Sequence, residues 1–584
     1  MHDRFTIKIA GAAGQGIKSS GLIIAKAAKR AGFFTFGYTE YPSLIRGGHN
    51  VFQIEISNQP IGSITKDTDV LLALNRESVE LHINEFDKDS GVMVLDTTTA
   101  LTPEQEALID KYKVKVFQLP LLDLATEAGG SALMKNTVTL GAIWKTLDLP
   151  VEILQEVVAE VFDKSEEIIE ANKNAILAGF NAINEKFTTF SKKFPENPTG
   201  EEEKLVISGN EALSLGAIAA NVGIYASYPM TPASSILTTL SEWAKDSGMI
   251  VKQAEDEITA SNMCIGANYA GGRALCATSG GGLDLMSETI SLAGITETPF
   301  VVVLAQRHGA ATGAPTWTGQ SDLNMAINTS HGEFPRVVMS CSEADDAFYL
   351  IGEAFNIAEK FQIPVLFLTE KYIAESTYTT NSFDIEKVKI DRGELIATEN
   401  LTGQELRYKV TESGISPRWF PGQFGNTQES KINSTFVANS DEHTEKGYST
   451  DDDAIIKKQV EKRMRKYGAI KDYLPEPKLE GDENPDIIFV TFGSNKKILE
   501  DAARILREQG KKIAVLNFTY LWPLKTKTLE NLKGQEEKIF VVEQNFGGQL
   551  AKLIKSQTGI NFTNRIQRYD SKPFYLEDIL EAVK

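Results

Sequence analysis

Gly223-Ile-Tyr-Ala-Ser227 is a short apolar run, and it ends directly in Tyr228-Pro-Met-Thr-Pro-Ala-Ser-Ser235. Ser234 and Ser235 then lead into Ile-Leu-Thr-Thr-Leu, which has helical spacing. A strand, a tight proline-flanked turn and a helix N-terminus form the unit with which an α/β domain builds a ligand site at the carboxyl end of a strand. Thr231 falls at that turn, with its hydroxyl and backbone N–H available. The pattern repeats one unit later: Val251-Lys-Gln-Ala254 reads as a strand and Ile258 to Ala270 as a buried, small-residue helix. Between them stands Glu255-Asp-Glu257, so Glu257 falls at a strand–helix junction beside apolar packing.

At 584 residues the chain is long enough for several domains, each with a sizeable core. Its balance is acidic, 79 Asp+Glu against 60 Lys+Arg for a net −19, which argues against nucleic acid or an anionic membrane as partner. No apolar run approaches the ~18 residues of a spanning helix. Met1-His-Asp-Arg-Phe runs straight into a strand and does not read as a signal peptide, so a cytoplasmic location is expected. The three cysteines, Cys264, Cys276 and Cys341, are widely spaced in apolar or small-residue contexts and read as packing residues in a reducing compartment. Without a Cys-x-x-Cys, four-thiolate cluster binding is not expected of this chain, and its histidines show no metal-ligand spacing.

Along the chain, apolar strands alternate with helical stretches. Phe5 to Ala10 is a strand, Gly11-Ala-Ala-Gly14-Gln-Gly16 a glycine turn, and Ile17 to Ala31 an amphipathic helix. Strands follow at Val51–Ile56, Val70–Leu74, Val92–Leu95 and Val114–Leu119, and Val151 to Lys186 reads as helices. Phe187 to Glu203 is a polar linker with two prolines. A second α/β domain starts at Leu205-Val-Ile207, continues with strands at Ala274–Thr278, Phe300–Ala305 and Val365–Leu368, and ends near Ser376. Thr377 to Glu483 is mixed, with one clear helix over Asp453–Tyr467, started by Thr450 and Asp451 and closed by the basic cluster Lys462-Arg463-Met-Arg465-Lys466. A last α/β domain from Pro485 has strands at Ile487–Thr491, Ala514–Asn517 and Ile539–Val542.

The turn Tyr228–Ser235 and Glu257, taken with Thr278-Ser-Gly-Gly-Gly282, Gly294-Ile-Thr-Glu-Thr-Pro299, Gln306-Arg307 and Gly414-Ile-Ser-Pro-Arg418, give the chain a family likeness. It resembles the α subunits of 2-oxoacid:ferredoxin oxidoreductases of the kind in which a γ domain is fused in front of α, and the resemblance covers essentially the whole chain. It implies an α/β fold of three domains with mainly parallel sheets: a γ domain over 1–186, a linker over 187–203, the pyrimidine-binding domain of a thiamine diphosphate site over 204–376, a connecting region over 377–483 and a transketolase-C-like domain over 484–584. The implied reaction converts 2-oxoacid, coenzyme A and oxidised ferredoxin to acyl-CoA, CO₂ and reduced ferredoxin. Among substrates, 2-oxoglutarate is expected first, from Gly414–Arg418 and the Gln306-Arg307 region, with pyruvate and branched-chain oxoacids open.

Thiamine diphosphate chemistry needs a carboxyl group on N1′ of the aminopyrimidine, in a pocket dry enough for the two to share a proton. Spacing alone leaves Glu255, Asp256 and Glu257 open, since acids also favour a helix N-terminus; the resemblance selects Glu257 as the catalytic and cofactor-binding group. It likewise implies that Thr231 and Arg307 hold the 2-oxo-carboxylate, the guanidinium as a bidentate fork, with Tyr228 beside them. No Gly-Asp-Gly occurs. The resemblance therefore places Mg²⁺, the diphosphate and a [4Fe–4S] cluster on a separate β subunit within a hetero-oligomer that serves ferredoxin. Gly11, Gly14 and Gly16 form either a phosphate cradle, linked in the family to coenzyme A, or a structural turn; their spacing is not that of the dinucleotide fingerprint. Arg46-Gly-Gly-His49 resembles γ-domain sequence, and His49 reads as a loop residue. Glu543-Gln-Asn545-Phe-Gly-Gly548 follows a strand and can be a ligand loop or an assembly element. Ala233 and Gly281-Gly282-Leu-Asp284 depart from the family pattern, which bears on substrate preference. Two other readings stand beside the enzyme: a nucleotide- or flavin-binding protein resting on Gly11–Gly16, and an assembly subunit in which Glu257 is dispensable.

Overall fold

Alternating apolar runs and amphipathic stretches fold into three sheets flanked by helices. The computed structural model describes residues 4–44, 47–86, 91–162, 165–183, 204–423 and 435–584; Arg46 and the linker expected over Phe187–Glu203 lie outside them. The chain divides into two units, one made of Met1–Ser208, Glu375–Ser382 and Phe574–Lys584, the other of Gly209–Ala374 and Phe383–Pro573.

The first unit holds an eight-stranded sheet. Lys115–Leu119, Val92–Asp96, Val70–Ala73 and Arg4–Ala12 run parallel, and His49–Ser57, Phe34–Glu40, Thr377–Asn381 and Lys204–Ser208 follow in antiparallel pairs. Phe5, Ile7, Ile9, Phe52, Ile54 and Ile56 form one core with Val138, Ile143 and Trp144 of the helix Lys135–Thr146. Two features differ from the sequence reading. The strand Leu205-Val-Ile207, expected to open the second domain, is part of this sheet, where it pairs with Thr377–Asn381 at register Thr377↔Ser208. The C-terminal segment also returns here: Leu576 N–H donates to Ile64 O at 3.0 Å and Lys66 meets Asp578 at 2.6 Å.

The second unit carries the other two sheets. Its seven-stranded sheet runs Tyr520–Trp522, Val337–Ser340, Pro364–Glu370, Phe300–Gln306, Ala274–Thr278, Ile224–Ser227, Ile250–Gln253, all parallel except the first strand. Phe300–Gln306 and Pro364–Glu370 are buried along their whole length, which is why they read as continuous apolar runs. The helices Gly209–Ala219 and Ala344–Phe361 cross at Gly216, where a Cβ would stand 2.1 Å from Phe348 O, so only glycine allows that approach. The five-stranded sheet Leu479–Gly481, Ile513–Asn517, Ile487–Thr491, Ile539–Glu543, Asn564–Gln567 is parallel but for its first edge.

The helix expected over Asp453–Tyr467 runs over Asp453–Tyr473, and its cap is Asp452, which accepts from Ala454 N and Ile455 N at 3.0 Å each. The basic cluster is therefore mid-helix and does not serve the helix C-terminus. Lys462 and Lys466 are buried on Glu297 at 2.5 and 2.6 Å, and Arg463 meets Glu442 at 2.5 Å. Burial pushes the Glu297 carboxyl up, but Lys462, Lys466 and Arg407 outweigh it and hold the group well below the usual carboxylate range.

Candidate active site at the strand carboxyl ends

Four junctions of the second unit's seven-stranded sheet bring polar groups together at strand carboxyl ends. The first follows Ile224–Ser227. Met230 and Ala233 close a turn through Ala233 N–H to Met230 O at 2.8 Å, and the helix Ser234–Ser247 begins at once. Asn210, 1% exposed, ties the turn down by donating to Pro232 O at 2.8 Å and Ser235 Oγ at 2.7 Å. Sequence reasoning missed Asn210, because an asparagine early in a helix gives no signal of a turn that lies beyond the next strand. Thr231 sits half-buried on this turn and Tyr228 is 40% exposed beside it.

The second junction sorts the three acids by environment. Glu255 is exposed. Asp256 is the helix cap: its carboxylate accepts from Thr259 N at 2.7 Å, and these bonds lower its pKa. Glu257, the first residue of the helix Glu257–Tyr269, is 4% exposed, and among the described residues its Oε1 has no hydrogen-bond partner. Dehydrating a carboxylate oxygen without a partner is costly, so this position asks for a group that the chain itself does not supply.

The third junction follows Ala274–Thr278 and packs against that carboxyl group. A Cβ on Gly282 would stand 1.9 Å from Thr278 Oγ1 and 2.9 Å from Glu257 Cγ and Oε1, so glycine is required for the short helix Gly280–Leu285 to lie so close. Ser279 Oγ is a buried hydroxyl that likewise has no hydrogen-bond partner among the described residues. The fourth junction follows Phe300–Gln306. Arg307 is 9% exposed and donates from Nη1 to Thr231 O at 2.8 Å, linking the first and fourth turns. Burial lowers its pKa, partly offset by Asp322.

The fold thus gathers Thr231, Tyr228, Glu257 and Arg307 at the same end of one sheet. The remaining sequence candidates behave differently. Gly14 and Gly16 adopt φ of 87° and 71°, and Gly16 starts the helix Ile17–Arg30. Gln15 folds back to accept from Ala12 N at 2.6 Å, a Cβ on Gly16 would stand 2.6 Å from Asn136 Nδ2, and a Cβ on Gly14 would meet nothing within 4 Å. His49 opens the strand His49–Ser57, with its Nε2 2.8 Å from His82 Nε2. Gly414–Arg418 belongs to the scaffold: Arg418 Nη2 meets Glu359 at 3.3 Å, and Gly414 has φ 81° against Lys462 O. Glu543 accepts from Leu550 N at 2.9 Å, Asn545 donates to Gln320 O at 3.1 Å and Gln544 donates to Asn495 Oδ1 at 3.0 Å, so that loop's polar groups are taken up within the second unit.

Comparison with known proteins supplies the class to which this sheet and its strand-end turns belong. Residues 215–462 match the family described as pyruvate flavodoxin/ferredoxin oxidoreductase, thiamine diphosphate-binding; residues 6–182 match pyruvate ferredoxin/flavodoxin oxidoreductase; residues 485–579 match pyruvate:ferredoxin oxidoreductase core domain II. A 2-oxoacid:ferredoxin oxidoreductase subunit alpha of Aeropyrum pernix is 31% identical over 99% of this chain and 96% of its own. The 2-oxoglutarate synthase subunit KorA of Archaeoglobus fulgidus is 31% identical over 60% of this chain and 91% of its own. A solved 2-oxoglutarate:ferredoxin oxidoreductase from Magnetococcus marinus, with 2-oxoglutarate, coenzyme A and succinyl-CoA bound, is 30% identical, has a TM-score of 0.89 and covers 100% of this chain and 99% of that one. The chain belongs to the α subunits of the 2-oxoacid:ferredoxin oxidoreductases. Membership decides against the flavin-binding alternative. No helix among the described residues is long and apolar enough to cross a membrane. The residues present fit an aminopyrimidine: Glu257 offers one buried, unpartnered carboxylate oxygen beside a glycine-lined helix start.

Proposed function

We propose that the chain works as the catalytic α subunit of a 2-oxoglutarate:ferredoxin oxidoreductase, with a separate β subunit and in the cytoplasm. The observation that carries this is the buried, orphaned Glu257 Oε1 at a strand–helix junction. Glu257 would hold the aminopyrimidine of thiamine diphosphate and share a proton with its ring nitrogen. When bound, that cofactor supplies a carbon nucleophile for the 2-oxo group. Arg307 would take the substrate carboxylate, oriented by its bond to the Thr231 carbonyl, with Thr231 and Tyr228 lining the same place. Mg²⁺ and a [4Fe–4S] cluster would come with the β subunit, and ferredoxin would receive the electrons. The domain assignment is γ over 1–186, joined by the segments Lys204–Ser208, Glu375–Ser382 and Phe574–Lys584, with pyrimidine-binding over 209–374 and transketolase-C-like over 484–573. In the γ domain the open Gly14 and the helix start at Gly16 would meet a phosphate of coenzyme A. The preference for 2-oxoglutarate leans on the KorA and Magnetococcus relatives, since Gly414–Arg418 is occupied in the scaffold.

The test is reconstitution. The purified chain alone is expected to give no oxoacid-dependent reduction of ferredoxin. Adding a β chain with a Gly-Asp-Gly diphosphate motif and a cysteine-bound cluster should restore turnover, fastest with 2-oxoglutarate. Full turnover by the isolated chain would refute the two-subunit reading, and a preference for pyruvate would refute the substrate.

A further inference from the structure

The loop after the strand Ile539–Glu543 keeps its polar side chains inside and presents one large apolar side chain to solvent. Glu543, Gln544 and Asn545 are buried, whereas Phe546 is 78% exposed, more than any other large apolar side chain among the described residues. Gln567 clamps the loop by donating from Nε2 to Asn545 O at 2.9 Å and to Phe546 O at 3.2 Å. The Phe546 ring meets that of Tyr569, 53% exposed, edge-on with centroids 5.2 Å apart. Single apolar residues on a surface need no explanation, but two aromatic rings ordered against each other on a clamped loop have the make-up of an interface centre.

Charge around this pair runs against that of the molecule. From Gln544 to Pro573 five basic residues stand against one acid, in a chain with 60 basic and 79 acidic residues. Arg568 is matched by Asp570 at 2.9 Å, and Lys572 lies over the Trp317 ring at 3.8 Å. Lys552, Lys555 and Arg565 are exposed, and none of the three forms an ion pair among the described residues. Two of them stand at the loop beside Phe546: Arg565 Nη1 is 2.6 Å from where a Cβ would stand on Gly548, and Lys552 Nζ is 3.9 Å from the same point on Gly547. The segment that follows Arg307 is seated on this loop too. Gln320 N–H donates to Gln544 O at 2.8 Å, and Gln549 donates to Ser321 O at 2.6 Å. The surface therefore adjoins the fourth strand-end junction.

We propose that Phe546 and Tyr569, with Lys552, Lys555 and Arg565 around them, form a docking surface for the β subunit, whose matching face is an apolar pocket rimmed by carboxylates. The sign of the charge selects this occupant. A second copy of the chain, meeting the surface about a two-fold axis, would set the same cations against each other. A separate polypeptide that completes a site at the strand ends covers the surface next to it and can bring the opposite charge. The proposal rests on the two-subunit reading.

Affinity of the full chain for the β subunit would be measured by biolayer interferometry at low and high salt in the parent, in Phe546→Ala, in the double variant Lys552→Glu/Arg565→Glu, and in the control Ile385→Ala, a 66% exposed apolar position elsewhere in the second unit. Phe546→Ala should weaken binding by roughly tenfold or more at either salt concentration. Lys552→Glu/Arg565→Glu should weaken it by a similar factor at low salt and much less at high salt. Ile385→Ala should stay within about twofold of the parent. Thermal melts of the free variants should match the parent's, since the substituted positions are exposed; if Phe546→Ala melts early, the double variant alone decides. Parent-like affinity in both surface variants overturns the proposal and leaves the two-subunit reading intact, whereas a parent that does not bind β at all refutes that reading and the proposal with it. Sedimentation of the free chain and the KM for ferredoxin in the assembled enzyme test the other occupants. Self-association abolished by Phe546→Ala, or a raised ferredoxin KM with β affinity unchanged, assigns the surface to a second copy or to the electron carrier and overturns the proposal.

Discussion

Two glutamates of the second unit are almost equally buried, Glu257 at 4% and Glu297 at 1% exposure, and they are held in opposite ways. Glu297 is surrounded by charge it can use: Lys462 at 2.5 Å, Lys466 at 2.6 Å, and Arg407, whose Nη2 also donates to the Glu297 carbonyl at 2.8 Å. Glu257 sits against Gly282 with one oxygen unmatched by any described residue. Both carboxylates bear a desolvation penalty, but only Glu297 has it offset within the chain. Depth of burial therefore does not separate the two; the opposite charges within reach of the carboxyl group do.

The largest effect expected from breaking this contrast is at Glu257. Glu257→Gln in the assembled enzyme should slow C2 deuterium exchange of bound thiamine diphosphate by roughly 10²–10⁴-fold, while the thermal melt and subunit association stay near the parent's. Unchanged exchange would remove Glu257 from the chemistry and leave the assembly-subunit alternative standing. Glu297→Gln should do the reverse, lowering stability by about 3–5 kcal/mol because it strands buried ammonium groups. Denaturant titration checks this. The Glu297 pKa is depressed from 4.5, so its contribution is complete above that value and is lost as pH falls toward the lowered one. The gap between Glu297→Gln and the parent should hold from neutral pH to about 5 and shrink below it. A gap that closes already near pH 7 would mean that the lysines, not the carboxylate, set the balance.

Smaller effects sharpen the comparison. Arg307→Lys keeps the charge and loses the fork, so kcat/KM for the oxoacid should fall by roughly 1.5–3 kcal/mol, mostly in KM. No change would place Arg307 outside the substrate site. Glu255→Gln, at an exposed neighbour of the helix cap, should alter both exchange and stability by less than about 0.5 kcal/mol. A collapse of exchange in that variant alone would show that the wrong acid of the three was chosen.

Central features of the second unit were legible because their cause is local. Phe300–Ala305 and Val365–Leu368 are continuous apolar runs since both faces are covered, and the Tyr228–Ser235 turn announces itself through its prolines and serines. The three acids at 255–257 were indistinguishable as letters; only the fold separates an exposed one, a cap and a buried one. What failed to show had its cause far along the chain. Lys462 and Lys466 looked like helix-end charges because Glu297, lying more than one hundred residues earlier, cannot be seen from the helix. Leu205–Ile207 looked like the start of a new sheet because its partner, Thr377–Asn381, follows an entire intervening domain.

That pairing of Ser208 with Thr377 bears on how the polypeptide can be handled and how it matures. Everything from Gly209 to Ala374 leaves the first unit and comes back to the residue opposite its point of departure, so the eight-stranded sheet cannot gain its last two strands until a whole domain has been synthesised. Until then Phe34–Glu40 is a bare, aromatic-rich edge, the kind of surface that recruits strands from other chains. A fragment that stops before Lys204 carries that open edge permanently, and its solubility in a heterologous host will depend on whether the two missing strands are supplied in trans.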